Sequence, residues 1–168
     1  MKYKSDKPYP IVNVEEKNLN YAKLLLDDYA GSISEDTAIH LYLFQSLVLK
    51  DNEEFANIMK HIAEVEMHHL YLLGEVICLL GVKPVYGSFS KDNCYKAWNS
   101  MNVNYTINLK EILDINIKRE QEAIKSYRCH CSIIKDKYIK ELLSRIIEDE
   151  EIHLNIFRSF YQRMFTSL

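Results

Sequence analysis

The sequence predicts an all-α protein in which two antiparallel helix hairpins, joined by a long crossover, form a four-helix bundle. Its 168 residues suit one domain, and with 48% apolar residues but only four Gly and three Pro they disfavour a turn-rich β architecture. The motif Glu-x-x-Ala-Ile-x-x-Tyr occurs twice, as EDTAIHLY at residues 35–42 and EQEAIKSY at residues 120–127. A Glu-x-x-His-Leu follows about thirty residues after each copy, in EMHHL and EEIHL. The duplication indicates two similar hairpins related by pseudo-twofold symmetry.

The first half of the chain contains an N-terminal arm and the first predicted hairpin. Residues 1–18 are expected to be an extended arm, followed by a bundle domain of residues 19–168. The first helix is predicted over residues 19–50, and Gly31 permits a kink within it. Asp51 and Glu54 have the spacing of a capping box and begin a second helix that runs to about Leu80. Gly81 and Pro84 are the expected stop signals.

The second half contains the crossover and the second hairpin. Residues 82–105 are rich in Ser, Asn, Lys and aromatic residues and are longer than a hairpin connection needs, so they are predicted to cross the bundle. A short helix is expected within them at residues 94–101. A third helix is predicted over residues 106–134, and Asp136 begins a fourth that ends near Phe165. One long crossover between two hairpins is a known bundle topology.

Composition disfavours several classes of partner and compartment. A net charge of -3 provides no basic field for nucleic acid. The N-terminus lacks an apolar block, and the most apolar stretch, YLLGEVICLLGV, contains Glu75 and is shorter than a membrane span. A cytoplasmic protein without nucleic-acid or membrane partners is therefore expected. Its four cysteines form no Cys-x-x-Cys pair and are predicted to be buried thiols.

Six residues of the duplicated motifs are predicted to converge at the centre of the bundle. Glu66 and His69 are three positions apart, which places both side chains on one helix face, and Glu150 and His153 repeat this spacing. The other two helices each add one carboxylate. Four buried carboxylates would repel one another and lose hydration unless cations neutralised them, and two divalent ions match their charge. The predicted metal ligands are Glu35, Glu66, His69, Glu120, Glu150 and His153.

Oxygen and imidazole ligands without thiolate suit iron or manganese, with coordination positions left for a small oxygen species. Tyr42 and Tyr127 lie seven residues after the first Glu of each motif, and each is predicted to hydrogen-bond a carboxylate of the opposite hairpin. Asp149 is expected to accept the imidazole proton of His69, whereas Val65, its counterpart in the first hairpin, cannot accept one. The two metal positions are therefore predicted to differ. The remaining histidines are not at ligand spacing: His40, His61, His68 and His130.

Each of these elements also has a purely structural interpretation. A single Glu-x-x-His on a helix is usually a solvated or core pair, and Tyr or Ala-Ile at helical spacing is usually packing. Both repeats, however, keep the Glu, the Glu-x-x-His, the Tyr and their separation. The joint pattern favours metal binding.

The motif order Glu, Glu-x-x-His, Glu, Glu-x-x-His resembles the ferritin-like superfamily of di-metal carboxylate proteins, from about Leu19 to Phe165. Rubrerythrin-type domains and manganese catalase relatives are the most similar groups. The resemblance implies a bundle that holds two iron ions, or alternatively two manganese ions, and no haem. The paired Cys-x-x-Cys motifs of the rubredoxin module are absent, and Ile117 stands where rubrerythrins tend to carry an extra carboxylate. A peroxidase function would then need an external electron donor.

Three functions remain open at this point. The first is an oxidoreductase of the rubrerythrin peroxidase or catalase type, which reduces or disproportionates hydrogen peroxide or oxygen. The second is iron binding and storage, or metal sensing, without redox turnover. The third is a structural bundle with a vestigial site. A homodimer is expected from aromatic residues left over on helix faces: Tyr71, Trp98, Tyr138 and Phe160.

Overall fold

The computed structural model describes residues 1–90 and 92–166, and it confirms the predicted fold class, a helical bundle with little strand. The described part of the chain forms five α-helices and one small β-hairpin. Helices α1 and α2 together take the place of the first predicted helix and run antiparallel to α3, while α4 pairs with α5. The elements are α1 (Leu19–Ala30), α2 (Glu35–Val48), α3 (Glu53–Leu79), β1 (Gly87–Phe89), β2 (Tyr95–Ala97), α4 (Leu109–Ile133) and α5 (Lys137–Phe165).

A polar side chain caps the first turn of every one of these helices. The side-chain oxygen of each cap accepts a hydrogen bond from a backbone N–H of the first turn, which would otherwise lack a partner. Asp136 caps α5, as predicted, at 3.0 Å from Tyr138 N. The cap of α3 is Asn52 rather than Asp51, so the predicted capping box is wrong by one residue. The caps are Asn18, Ser34, Asn52, Asn108 and Asp136.

The first predicted helix is broken at residues 31–34 rather than kinked. Gly31 ends α1, with its N–H bonded to the carbonyl of Asp27 at 2.9 Å. The carbonyl of Gly31 then accepts the hydroxyls of Ser34 (2.8 Å) and Thr37 (3.0 Å) instead of a helical N–H. These hydroxyl bonds stabilise the break, and α2 starts at Glu35.

We expect Gly31→Ala to lower the free energy of unfolding by about 1–3 kcal/mol, because a Cβ at this position would lie 2.5 Å from the carbonyl oxygen of Asp27. Gly74→Ala is the matched control, since its Cβ would stay at 3.4 Å from Tyr29 and a helical Ala is favoured over Gly. Urea unfolding of the two variants should therefore give shifts of opposite sign. Equal or stabilising shifts at both positions would contradict this explanation of the break.

The crossover contains a β-hairpin and a 3-10 turn, so the short helix predicted at residues 94–101 is wrong. Strands β1 and β2 pair antiparallel with Ser88 opposite Lys96. Asn93 has a positive φ of 59°, a conformation that Asn tolerates in tight turns and that continues no helix. The 3-10 turn spans Ser100–Asn102. The hairpin packs on α1, where Lys23 donates to the Asn93 side chain at 3.0 Å.

Two apolar clusters fill the two ends of the bundle and leave a polar layer between them. One cluster joins α1 to the C-terminal half of α3, the end of α4 and the start of α5. The other joins α2 to the N-terminal half of α3, the start of α4 and the end of α5. Both copies of the duplicated motif therefore meet in the middle layer, shielded from water at both ends.

Several surface expectations are corrected by the structure. Cys78, Cys94 and Cys129 are exposed and Cys131 is half-buried, so the prediction of buried thiols is wrong. Phe160 is part of the apolar core, and Trp98 is half-buried against the His40 ring. Neither is left over for a partner surface. No helix within residues 1–90 and 92–166 combines the length and apolarity needed to cross a membrane.

Candidate metal centre

The six predicted ligands converge in the polar middle layer. Glu35 stands at the first position of α2, and Glu120 lies in the middle of α4. The two Glu-x-x-His pairs come from α3 and α5, and the Glu and His of each pair are about one helical turn apart. All six side chains are at most 4% exposed. The bundle therefore holds four carboxylates and two imidazoles away from solvent, where burial of unpaired charge is costly.

Their ligating atoms form two groups, each small enough to surround one metal ion. In each group the four atoms lie within 4.8 Å of one another. Glu66 and Glu150 belong to both groups, whereas each remaining residue belongs to one. One group contains Glu35, Glu66, His69 and Glu150, and the other contains Glu66, Glu120, Glu150 and His153.

Both imidazoles point Nδ1 at the shared carboxylates. His69 Nδ1 lies 3.0 Å from Glu66 Oε2 and 3.1 Å from Glu150 Oε1. His153 Nδ1 lies 3.0 Å from Glu66 Oε1 and 3.3 Å from Glu150 Oε2. Despite this proximity, Oε1 of Glu66 and Oε1 of Glu150 find no partner with hydrogen-bond geometry among the described residues. Buried carboxylate oxygens with unused lone pairs fit a bound cation.

The electrostatics of the metal-free site show the same need for positive charge. Burial, and then the charges of Glu66 and Glu150, raise the pKa of Glu35 well above its ordinary value, and burial with the same two carboxylates raises the pKa of Glu120. Burial also opposes ionisation of Glu66, but the two histidines outweigh it and lower the pKa of this carboxyl. The carboxylates raise the pKa of both imidazoles against the effect of burial. Protons thus neutralise the cluster when no metal does.

Two buried tyrosines cross between the hairpins to hold the unshared carboxylates. The hydroxyl of Tyr42 donates to Glu120 Oε1, and that of Tyr127 donates to Glu35 Oε1. Burial, and then the nearby carboxylates, raise the pKa of both phenols, so they remain protonated donors. Each tyrosine therefore fixes the orientation of one carboxylate from the opposite hairpin.

Asp149 binds the outer nitrogen of His69 and connects it to the N-terminal arm. Its Oδ2 lies 3.1 Å from His69 Nε2 and accepts the hydroxyl of Tyr9. Its Oδ1 accepts the Ser5 N–H at 2.6 Å and the Arg145 Nη1 at 2.6 Å. Although burial acts against ionisation, the hydrogen bonds from His69, Tyr9 and Ser5 lower the pKa of Asp149 to about 2. The Asp149 carboxylate thus accepts the Nε2 proton and leaves Nδ1 free to bind a metal.

His153 is oriented by a different group, the backbone of the arm. Its Nε2 lies 2.8 Å from the carbonyl oxygen of Tyr3, and because a carbonyl only accepts, Nε2 carries the proton. Val65 occupies the position equivalent to Asp149 and offers no acceptor. The two halves of the site therefore differ, with an anionic acceptor behind His69 and a neutral one behind His153.

The contacts of the arm with the site are features that the sequence pattern missed. Arg145 is buried, donates to the carbonyls of Ser5 and Lys7, and stacks on the Tyr9 ring at 4.2 Å. Tyr3 stacks on His61, a histidine that the sequence predicted only to lie off ligand spacing. The sequence did contain one indication of these contacts: Arg145 lies four residues before Asp149, a spacing at which two helical side chains can form an ion pair. The arm covers the face of the bundle on which both imidazoles lie.

A small cavity reaches the carboxylates from the other face, between α2 and α4. Its volume is about 30 Å³, room for about one water-sized molecule. Ala38 and Ala123, the alanines of the duplicated motif, line it one turn after each Glu. At its rim the half-buried Arg119 donates to the carbonyls of Ser32 (3.2 Å) and Asn102 (2.8 Å). The small alanines leave space beside the four carboxylates, which also line the cavity.

Comparison with known proteins places this chain in a family. The rubrerythrin family model matches residues 30–161. A probable manganese catalase from Clostridium acetobutylicum is 27% identical over 164 residues, covering 88% of this chain and 72% of that protein. The crystal structure of KatB, a manganese catalase from Anabaena PCC7120, is similar with a TM-score of 0.82 at 22% identity, over 98% of this chain and 81% of that one. At this identity the likeness shows the fold alone.

A bacterioferritin with a diiron site, from Desulfovibrio desulfuricans, is similar with a TM-score of 0.74 at 25% identity, over 88% of this chain and 81% of that one. The two solved structures share the helical bundle, and the family match extends over both Glu-x-x-His pairs and both tyrosines. The chain belongs to the rubrerythrin family.

Proposed function

We propose that this protein consumes hydrogen peroxide at a pair of metal ions held by the six central residues. The observation that carries the proposal is the convergence of four buried carboxylates and two Nδ1 atoms in two groups, each within 4.8 Å. Glu66 and Glu150 would bridge the two ions. Glu35 with His69 would complete one position, and Glu120 with His153 the other.

The chemistry of the donors supports iron or manganese. Carboxylate oxygens and neutral imidazoles, without thiolate, suit both metals, and two divalent ions balance four carboxylates. The 27% identity to a probable manganese catalase supports manganese as the metal to load first. When bound, such a pair supplies electrons to peroxide or accepts them from it.

The surroundings of the six central residues suit the consumption of peroxide. The cavity of about 30 Å³ reaches the four carboxylates and suits a small substrate such as peroxide. Tyr42 and Tyr127 hold the unshared carboxylates, and Asp149 and the Tyr3 carbonyl orient the two imidazoles. The two apolar clusters keep bulk water away from both ends.

The test is peroxide consumption by protein loaded with Mn(II) or with Fe(II). We expect disproportionation, in which half as much oxygen is evolved as peroxide is consumed, without any added reductant. Consumption that requires a reductant and evolves no oxygen would support the peroxidase branch of the same proposal. Loaded protein that consumes no peroxide under either condition would overturn it.

Iron storage is the alternative, favoured by the similarity to bacterioferritin. It predicts uptake of many more iron atoms than the two that the central residues can hold, in a large multi-subunit particle. Iron titration with mass photometry distinguishes the cases. Saturation at about two metal ions per chain supports the enzyme.

The stabilisation by bound metal is expected to increase with pH. In the metal-free protein the raised pKa values of Glu35 and Glu120, and of both imidazoles, mean that the folded state binds protons more tightly than the unfolded state. This contribution is present at low pH and is lost as pH rises through the folded pKa values. Metal binding displaces the same protons and therefore strengthens as pH rises.

The difference in melting temperature between loaded and metal-free protein should thus widen by at least about 3 °C per pH unit between about pH 5 and pH 8. Calorimetry with and without a chelator measures it. The lowered pKa values of Glu66 and Glu150 leave these carboxyls ionised throughout this range, so they do not contribute to the pH dependence of the melting-temperature difference. A difference that stays constant or narrows would contradict the electrostatic description.

A further inference from the structure

A second buried pair of titratable groups lies against the cavity. Asp28, on α1, is 3% exposed and lines the cavity together with Glu35 and Tyr127. Its Oδ2 lies 2.6 Å from His130 Nδ1, and its Oδ1 accepts the Ser126 hydroxyl at 2.9 Å. His130 is 7% exposed and stands in the last turn of α4. The pair thus extends from the cavity wall towards the end of the bundle.

The pseudo-twofold symmetry makes the pair conspicuous. Glu35 and Glu120 are equivalent by the repeat, and the same offset makes Gln45 the counterpart of His130. On that side a neutral pair is found instead, in which the amides of Gln45 and Asn116 exchange hydrogen bonds of 2.9 and 2.8 Å. Two amides provide hydrogen-bond partners for each other at an equally buried position without any ionisable group. Packing alone therefore does not require an acid and an imidazole behind Tyr127.

The groups around Asp28 are mostly acidic or neutral. On its own helix it faces Asp27, and on α4 it faces Tyr127, His130 and Cys131. Across the cavity are Glu35, Glu120 and the guanidinium of Arg119. Burial raises the pKa of the Asp28 carboxyl, although the bonds from His130 and Ser126 oppose the rise. Asp28 in turn raises the pKa of His130 against the effect of burial. Together these residues retain a proton readily.

Peroxide chemistry in this small cavity moves protons as well as electrons. Reduction of hydrogen peroxide to two water molecules breaks the O–O bond and takes up two electrons and two protons. Oxidation of a second peroxide to oxygen breaks both O–H bonds and releases the same electrons and protons. The metal pair of the proposed function would exchange the electrons, and a protein group beside the cavity that holds a proton between the two halves would couple them.

We propose that Asp28 and His130 form a proton relay between the metal-site cavity and the protein surface, an inference that rests on the proposed peroxide function. The pair alternates between imidazole with carboxylate, of net charge -1, and its singly protonated form, which is neutral. Protons enter and leave at the outer nitrogen of His130 and pass through Nδ1 to Asp28 at the cavity wall. Asp28 and His130 are proton carriers and bind no metal.

The test replaces the pair by the amides that the chain uses on the opposite side, in the double variant Asp28→Asn/His130→Gln. The matched control is Gln45→Met/Asn116→Leu, which removes a buried polar pair at the symmetric position but no titratable group. His130→Gln alone is the second variant, because it keeps an amide donor for Asp28 if the double variant folds poorly. Metal content and melting temperature establish that each variant is loaded and folded.

Two readouts are needed. The first is proton uptake when the loaded metal pair is reduced electrochemically in an anaerobic, weakly buffered cell containing a pH indicator. We expect the relay variants to take up about one proton fewer per metal pair than the wild type and the control. The second is the rate of peroxide consumption, which should fall about 100-fold in the relay variants and stay within about twofold in the control.

Equal proton uptake in all the proteins would overturn the relay, whatever the rates. Wild-type protein that consumes no peroxide would instead refute the proposed function, and the proton measurement would still decide whether the pair exchanges a proton with the metal site. Loss of uptake together with loss of rate, confined to the relay variants, is the supporting result.

Discussion

Glu66→Gln is expected to abolish binding of both metal ions and, with it, peroxide consumption. Glu66 belongs to both ligand groups, and its two oxygens face His69 on one side and His153 on the other. Gln keeps the shape but replaces an anionic oxygen by an NH₂ donor, which repels a cation and leaves three carboxylates for two ions. Metal affinity should fall by more than about 100-fold at both positions. Elemental analysis after gel filtration measures it.

Glu64→Gln is the matched control, because it makes the same change on the same helix at an exposed side chain. It should retain two metal ions per chain and the full rate. Two tightly bound ions in the Glu66→Gln protein would show that this residue does not bridge, and the proposed ligand set would then be wrong.

Asp149→Asn should have the second largest effect on metal binding, and it should weaken the binding of one metal ion more than that of the other. The substitution removes the anionic acceptor behind His69 and leaves Arg145, itself buried, without its carboxylate. Breaking a buried ion pair by removing one partner costs about 3–5 kcal/mol of folding free energy. Affinity for one of the two metal ions should fall by about 10–100-fold, because an amide also presents a donor to His69 Nε2. His153, held by the Tyr3 carbonyl, should keep its ion.

Glu148→Gln separates this effect from loss of the arm. Glu148 binds the arm directly, through Ser5 Oγ at 2.9 Å and Lys7 Nζ at 2.6 Å, but no bond from it to His69 is present among the described residues. We expect the free energy of unfolding of this variant to change by no more than about 1 kcal/mol, since exposed ion pairs contribute little. The variant should still bind two metal ions. Calorimetric metal titrations of both variants would reveal the asymmetry as two resolved affinities. Equal weakening of both sites by Asp149→Asn would contradict it.

The centre of this protein could be predicted from sequence because helical periodicity converts spacing into direction. Glu66 and His69 share a face at any axial rotation of α3, and the duplication supplies a second, independent copy in Glu150 and His153. The same logic places Tyr42 and Tyr127 seven residues beyond their motif carboxylates. These relations depend only on local geometry and on a bundle closing around them.

The parts that could not be predicted depend on contacts between distant, non-periodic segments. The arm has no apolar period, and its bond to His153 uses a backbone carbonyl that any residue at position 3 would supply. Asp28 and His130 are 102 positions apart and are not duplicated, so no repeat indicates them. The break at Gly31 arises from hydroxyl bonds of Ser34 and Thr37 that compete with the helix, a balance of small energies.

The most direct test of the central proposal is anomalous diffraction, at the absorption edge of the metal, from crystals of protein loaded with Mn(II). We expect two anomalous peaks per chain, both between Glu66 and Glu150, with one beside Glu35 and His69 and the other beside Glu120 and His153. A single peak, or peaks elsewhere on the molecule with the central carboxylates bound to no metal, would contradict it.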